Sequence, residues 1–133
     1  MLISGTAGTG KTSLAAHFAD ATCRRGERSL YFSFEESESQ MVRNMRSIGL
    51  DLKSWSKKGL LRFHATRPSA YGLEMHHATL HKLVDKFQPR VVIVDPITTF
   101  LGAGTPVEAE SMLMRLIDFL KSQCITALFT SLT

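Results

Sequence analysis

Short apolar runs alternate along this chain with stretches whose apolar residues recur at helical spacing, the pattern of an α/β fold built on a parallel sheet. Leu2-Ile3-Ser4 reads as a short strand. From Lys11 to Arg25, Leu14, Phe18 and Ala21 share one helical face, and Gly26 is a fitting stop. "SLYFSF" (29–34) is a nearly continuous apolar run and predicts a buried strand. Ser37 and Gln40 form a capping box ahead of Met41, Val42, Met45 and Ile48, and Gly49 ends that helix. Leu52 and Trp55 suggest a short helical turn, and "LLRFHA" (60–65) an edge strand.

The second half repeats the alternation. Residues 71 to 87 place Leu73, His76, Leu80, Leu83 or Val84, and Phe87 on one helical stripe. "RVVIVD" (90–95) is the strongest strand signal, four consecutive β-branched residues ending in an aspartate. A Gly/Thr/Pro-rich loop (98–106) follows. Thr105 as cap, Pro106 at the first helical position and Glu108 three residues after the cap then start a helix. Its inward face is expected to carry Ala109, Met112, Leu116 and Phe119 or Leu120, and "ITALFTS" (125–131) is a last strand. No internal repeat, linker or low-complexity segment interrupts the series.

Composition narrows the class. The 133 residues suit one domain, and 44% hydrophobic with 21% charged residues is a globular balance. No apolar run approaches the 18 residues of a membrane-spanning helix. No secretory signal precedes the first strand, so a cytoplasmic protein is expected. Cys23 and Cys124 are accordingly expected as reduced, buried thiols. Sixteen basic against twelve acidic side chains leave a net charge of +4, which suits a polyanionic ligand such as ATP. Arg24-Arg25, Arg28 and Lys57-Lys58 read as solvated turns rather than a nucleic-acid patch.

Chemistry concentrates at three places. "GTAGTGKT" (5–12) fits G-x-x-x-x-G-K-[ST]. Gly5, Gly8 and Gly10 let the backbone N–H groups of the segment through Thr6, Ala7 and Thr9 converge on phosphate oxygens, where a Cβ would crowd the approach. The helix starting near Lys11 turns its positive end toward the same anion. Lys11 is expected on the β- and γ-phosphates, the Thr12 hydroxyl on Mg²⁺, and Ser13 closes the nucleotide-binding stretch. Asp95, at the tip of its apolar strand, is the second expected Mg²⁺ contact. Glu35 and Glu36, after the strand "YFSF", are the candidates to activate the attacking water, because Asp95 is followed by Pro96 rather than by a glutamate.

Weaker features receive bland readings. Thr130 and Ser131 stand where a polar group can sense a γ-phosphate, or simply end a strand. His77 and His81 lie i, i+4, but Ala78 stands where a zinc protease needs glutamate, and a solvated helix face is expected. Met112, Met114, Trp55 and the phenylalanines are expected to pack.

Loop, glutamate pair and aspartate in this order resemble the RecA-like ATPases and, within them, the KaiC family of circadian clock proteins. The carrying stretches are "LISGTAGTGKTSLAAHF", "YFSFEESESQMVRNMRSIGLDL", "GLLRFHATRPSAYGLEMH", "FQPRVVIVDPITTF" and "ITALFTSLT". They cover nearly the whole chain, and "FEES" with "RNMRSIGLDL" is more discriminating than the loop. The resemblance implies a three-layer α/β/α RecA-like P-loop core, ATP at the subunit interfaces of a hexameric ring, slow hydrolysis and, in some members, Ser/Thr autophosphorylation. It assigns Lys11 and Thr12 to nucleotide and magnesium, Glu35 and Glu36 to catalysis and Asp95 to the second acidic motif. The chain is expected to be a single, cut-down domain, incomplete at both ends, without the family's phosphosite segment and hence without autokinase activity. Two other readings stay open: a DNA-dependent recombination ATPase of RadA type, against which residues 98 to 106 offer no Lys or Arg, and a non-catalytic nucleotide-binding regulatory fragment.

Overall fold

The structure, a computed structural model, describes residues 2–5, 11–34, 37–65, 73–95 and 105–132. Among the described residues ten elements follow in order: β1 (Leu2–Gly5), α1 (Lys11–Arg24), β2 (Ser29–Ser33), α2 (Glu38–Arg46), α3 (Leu52–Lys57), β3 (Leu61–Ala65), α4 (Leu73–Phe87), β4 (Val91–Asp95), α5 (Pro106–Ser122) and β5 (Thr126–Leu132). The strands form one sheet in the order β1-β5-β4-β2-β3, and every neighbouring pair is parallel. The sequence reading of the α/β class and of β3 as an edge strand is therefore met.

Both faces of the sheet are covered, which is why β2 and β4 read as unbroken apolar runs. Side chains alternate across the pleat. Leu30, Phe32, Val92, Val94 and Phe129 point to one face, against Leu80, Leu83 and Val84 of α4 and Met112, Leu116 and Leu120 of α5. Tyr31, Val91, Ile93 and Leu128 point to the other, against Ala15, Ala16, Ala19 and Cys23 of α1, Met41 and Met45 of α2, and Leu52 of α3. The chain thus runs outward from β1 through β2 to β3 with α1–α3 on one face, then returns through β4 to β5 with α4 and α5 on the other. Right-handed crossovers require this division.

The helix starts agree with the sequence. Ser37 and Thr105 each accept from the backbone N–H three residues on, and Gln40 and Glu108 close the reciprocal half of the box. The inward face of α1 does not agree. Leu14 is 55% exposed and Ala21 is also exposed, while the buried stripe is Ala15, Ala16, Ala19 and Cys23. This helix passes over the middle of the sheet, and small side chains let its backbone come close; the larger Leu14 is turned outward. Ile48 at the end of α2 and Met114 on α5 are likewise exposed rather than packed.

The helix ends share one device. After α1, α2 and α3 the chain takes a positive φ at Gly26, Gly49 and Gly59. The N–H of the next residue then reaches back five positions, as in Leu50 to the Met45 carbonyl at 2.9 Å. The same geometry closes α5 with Ile125 N–H on the Leu120 carbonyl at 2.9 Å, but the left-handed residue there is Cys124, at φ 58°. Cys124 is exposed, which corrects the expectation that both thiols are buried; Cys23 is buried and donates its S–H to the Leu60 carbonyl.

A Cβ in the left-handed region costs about 1–2 kcal/mol, and glycine's extra freedom in the unfolded chain returns part of that. Cys124→Gly is therefore expected to stabilise the fold by about 0.5 kcal/mol, read as a rise of roughly 2 °C in thermal midpoint. An unchanged or lowered midpoint would show that the turn is not strained.

Candidate functional site

All five strands point the same way, so Gly5, Ser33, Ala65 and Asp95 come out at one edge of the sheet, and the segments that follow them start there. The helix that follows β2, α2, lies on the α1–α3 face, and the next described helix after β4, α5, lies on the opposite face. Between these two neighbouring strands lies a topological switch point, where ligands of open α/β sheets bind.

Asp95 ends β4 at this point and is 7% exposed. Its odd-numbered position puts its carboxylate on the α1 side with Ile93 and Tyr31. The Tyr31 hydroxyl, from β2, donates to Oδ2 at 2.6 Å, and the Thr130 hydroxyl, from β5, donates to Oδ1 at 2.6 Å. Sheet register dictates both contacts. Tyr31 lies opposite Ile93, one same-face step before Asp95, and Val94 pairs with Phe129, so Asp95 comes level with Thr130. An ionised carboxylate offers about four acceptor positions; among the described residues two are taken, one on each oxygen.

The end of β2 is tied to the same residue. Ser33 pairs with Asp95, and the Phe34 N–H donates to the Asp95 carbonyl at 3.0 Å. Glu35 and Glu36 come directly after Phe34 in the chain and lie outside the described residues. The same holds for Thr6, Ala7, Gly8, Thr9 and Gly10. The flanks of that loop are described: β1 ends at Gly5 and α1 begins at Lys11, the strand-to-helix context that the motif needs. The side chains of Lys11 and Thr12 lie outside the description, and Ser13 is partly buried in the first turn of α1.

Two residues gain a role that the sequence did not reveal. Tyr31 reads only as one more apolar position of a strand until the β2–β4 register places it beside Asp95. Thr130 is fully buried with its proton committed to Asp95, which makes it neither a plain strand end nor a free phosphate sensor.

The paired histidines are not on a solvated face. His77 is 6% exposed, its ring lies 4.5 Å from that of His81, and His81 stacks on Phe119 of α5 at 3.5 Å. The cause is α5, which packs along α4 and covers that side. Burial lowers the basicity of His81, with Arg115 acting in the same direction and Asp85 opposing. Among the described residues no group of three or more His, Cys, Asp or Glu side chains is placed to hold a metal ion.

A family model for the ATPase KaiC matches residues 1–133, the whole chain. The chain belongs to the KaiC ATPase family. Across its full length it is 51% identical to the circadian clock protein KaiC2 of Synechocystis sp. (strain ATCC 27184 / PCC 6803 / Kazusa), covering 23% of that protein. It is 36% identical to KaiC3 of the same organism and 33% identical to the circadian clock oscillator protein KaiC of Picosynechococcus sp. (strain ATCC 27264 / PCC 7002 / PR-6), covering 26% of each. The chain thus spans about a quarter of the length of these curated relatives. The parallel sheet with helices on both faces agrees with a RecA-like KaiC domain. Among the described residues no helix is long and apolar enough to cross a membrane.

In this KaiC-family fold the placement of α1 matters, since Lys11 and Thr12 are its first residues. A buried carboxylate fixes its middle. Asp20 accepts from the Trp55 indole N–H of α3 at 2.7 Å and from Arg24 Nε at 2.7 Å. Burial pushes the Asp20 carboxyl up, but the hydrogen bonds from Trp55 and Arg24, with the Arg24 and His17 charges, outweigh it and hold it below the ordinary aspartate value. A carboxyl whose value is lowered by folding contributes stability that is full above the unfolded value. That stability is lost as pH falls through the folded one, here below about pH 4. Asp20→Asn should cost about 1–2 kcal/mol near pH 7 and flatten the acid limb of a stability-against-pH curve. An acid limb identical to that of the parent protein would count against the clamp.

Proposed function

We propose that this chain binds Mg-ATP at the carboxyl edge of its sheet and hydrolyses it slowly, as the ATPase domain of a longer clock-family protein. The observation that carries this reading is the buried Asp95 carboxylate at the β2/β4 switch point, level with the end of the strand that runs into Glu35 and Glu36. Membership of the KaiC ATPase family supports it, and favours it over a DNA-dependent recombinase. The names of the relatives suggest a clock or related signalling role, and association into a ring with copies of itself goes with that role.

The residues fit a magnesium ion. Mg²⁺ takes hard oxygen ligands and keeps much of its water, and Asp95 offers carboxylate oxygens on which the described residues leave acceptor positions open. Thr12 and Asp95 would hold the ion, which when bound neutralises phosphate charge. Backbone N–H groups of residues 7 to 12 donate to the phosphate oxygens at the positive end of α1. Lys11 compensates the charge that builds on the β- and γ-phosphates. Glu35, with Glu36 in support, takes a proton from water as its oxygen bonds to the γ-phosphorus and the bond to the ADP oxygen breaks, leaving ADP and phosphate.

Two substitutions test this. Lys11→Ala removes charge-assisted hydrogen bonds to phosphate worth about 1.5–3 kcal/mol each, and should weaken binding of a fluorescent ATP analogue at least ~100-fold. Unaltered affinity would sink the site. Glu35→Gln should bind the nucleotide normally and lose turnover by about 10²–10⁴-fold, the range for a general base. Unchanged phosphate release would move the base to another residue.

A further inference from the structure

We propose that Tyr31 and Thr130 are positioning residues for the metal-nucleotide site, their hydroxyls fixing the plane of the Asp95 carboxylate from the strands on either side of β4. The inference rests on the reading of Asp95 given above, and adds two residues from other strands to that site. Three observations carry it.

The first is geometric. A carboxylate rotates about its Cβ–Cγ bond over a broad range, and one donor would leave that rotation partly open. Two donors arriving from opposite sides, one to each oxygen and both at 2.6 Å, lock it. The remaining acceptor positions are then held in fixed directions. The second is electrostatic. Asp95 is buried, and among the described residues its charge is met by these neutral hydroxyls, with no ion pair. Hydroxyls orient a carboxylate without neutralising it, so its negative charge stays available for a cation brought in by the ligand. A buried aspartate that served only packing gains more from an Arg or Lys, or from replacement by an apolar residue.

The third is where the donors come from. Tyr31 lies on β2, four residues before Glu35 in the chain, and its ring is seated against Phe63 of β3 at 5.3 Å. Thr130 is paired with Ile3, two residues before Gly5 and the loop. The hydroxyl–carboxylate–hydroxyl chain therefore runs sideways across β2, β4 and β5, from the strand that leads to the glutamates to the strand beside the loop. It holds Asp95 in register with both.

The test is the Mg²⁺ requirement of nucleotide binding, titrated with a fluorescent ATP analogue, together with direct Mn²⁺ binding to the protein–nucleotide complex by electron paramagnetic resonance. Tyr31→Phe removes one oxygen and keeps the ring. Thr130→Val keeps the shape, and Thr130→Ser keeps the hydroxyl. Tyr31→Phe and Thr130→Val should each raise the half-saturating Mg²⁺ about tenfold, the scale of one hydrogen bond to a charged group. Nucleotide affinity at saturating Mg²⁺ should stay within twofold, and Thr130→Ser should restore the parent value. A purely structural role would change thermal stability and leave the metal requirement where it was. Asp95→Asn separates the two levels of the argument. If it leaves the Mg²⁺ requirement unchanged, the reading of Asp95 itself fails. If it raises the requirement while Tyr31→Phe and Thr130→Val match the parent, Asp95 stands and the positioning inference is overturned.

Discussion

A negative charge buried at the tip of β4 is the constraint on which the rest of the arrangement turns. Taking a carboxylate out of water is expensive unless donors replace the lost hydration, and here the donors come from two other strands. Tyr31 meets Asp95 only if β2 pairs with β4 in the observed register, and Thr130 meets it only if β5 does so from the other side. A slip of one residue in either strand sends the hydroxyl to the opposite face of the sheet and leaves the carboxylate short of a partner. The site and the sheet register are thus one requirement: the hydrogen bonds that satisfy Asp95 also specify how the three central strands are aligned.

The helices serve that alignment from outside. On one face α1 lies close over the sheet because its inward residues are Ala15, Ala16, Ala19 and Cys23, and the Asp20–Trp55 bond fixes it to α3. On the other, α4 and α5 supply the large side chains, Leu80, Val84, Leu116 and Leu120. The asymmetry has a chemical consequence. The face with small residues lets α1 lie close to the sheet and directs its positive end to the edge where Asp95 sits, while the bulkier face carries packing and, in His77, His81 and Phe119, a cluster of rings.

Much of this was legible in the residues. Capping boxes at Ser37 and Thr105, glycine stops, and the apolar runs of β2 and β4 are local signals, and local signals determine where elements start and stop. The stripe on α4 was read correctly because its large residues are also its buried ones. On α1 Phe18 packs as its position predicts, but hydrophobicity favours Leu14 over the small residues that face inward, because closeness to a sheet selects for size. The histidines were misread for a related reason: their spacing is visible in the sequence, but the helix that covers them comes some thirty residues later. Asp95 was found from the apolar ramp before it. Tyr31 and Thr130 were not found as its partners, because register is a property of strand pairs and no single strand carries it.

Family membership and geometry bear on different parts of the same site. Membership rests on the whole length of the chain and says which chemistry to expect at the carboxyl edge. It does not say what holds the acidic residue still. That follows from the strand order, which inserts β5 between β1 and β4. The intervening β5 supplies Thr130 and pairs with β4 on one side and β1 on the other. Asp95 is therefore anchored to the two strands flanking β4, and through Thr130 to the strand that pairs with β1.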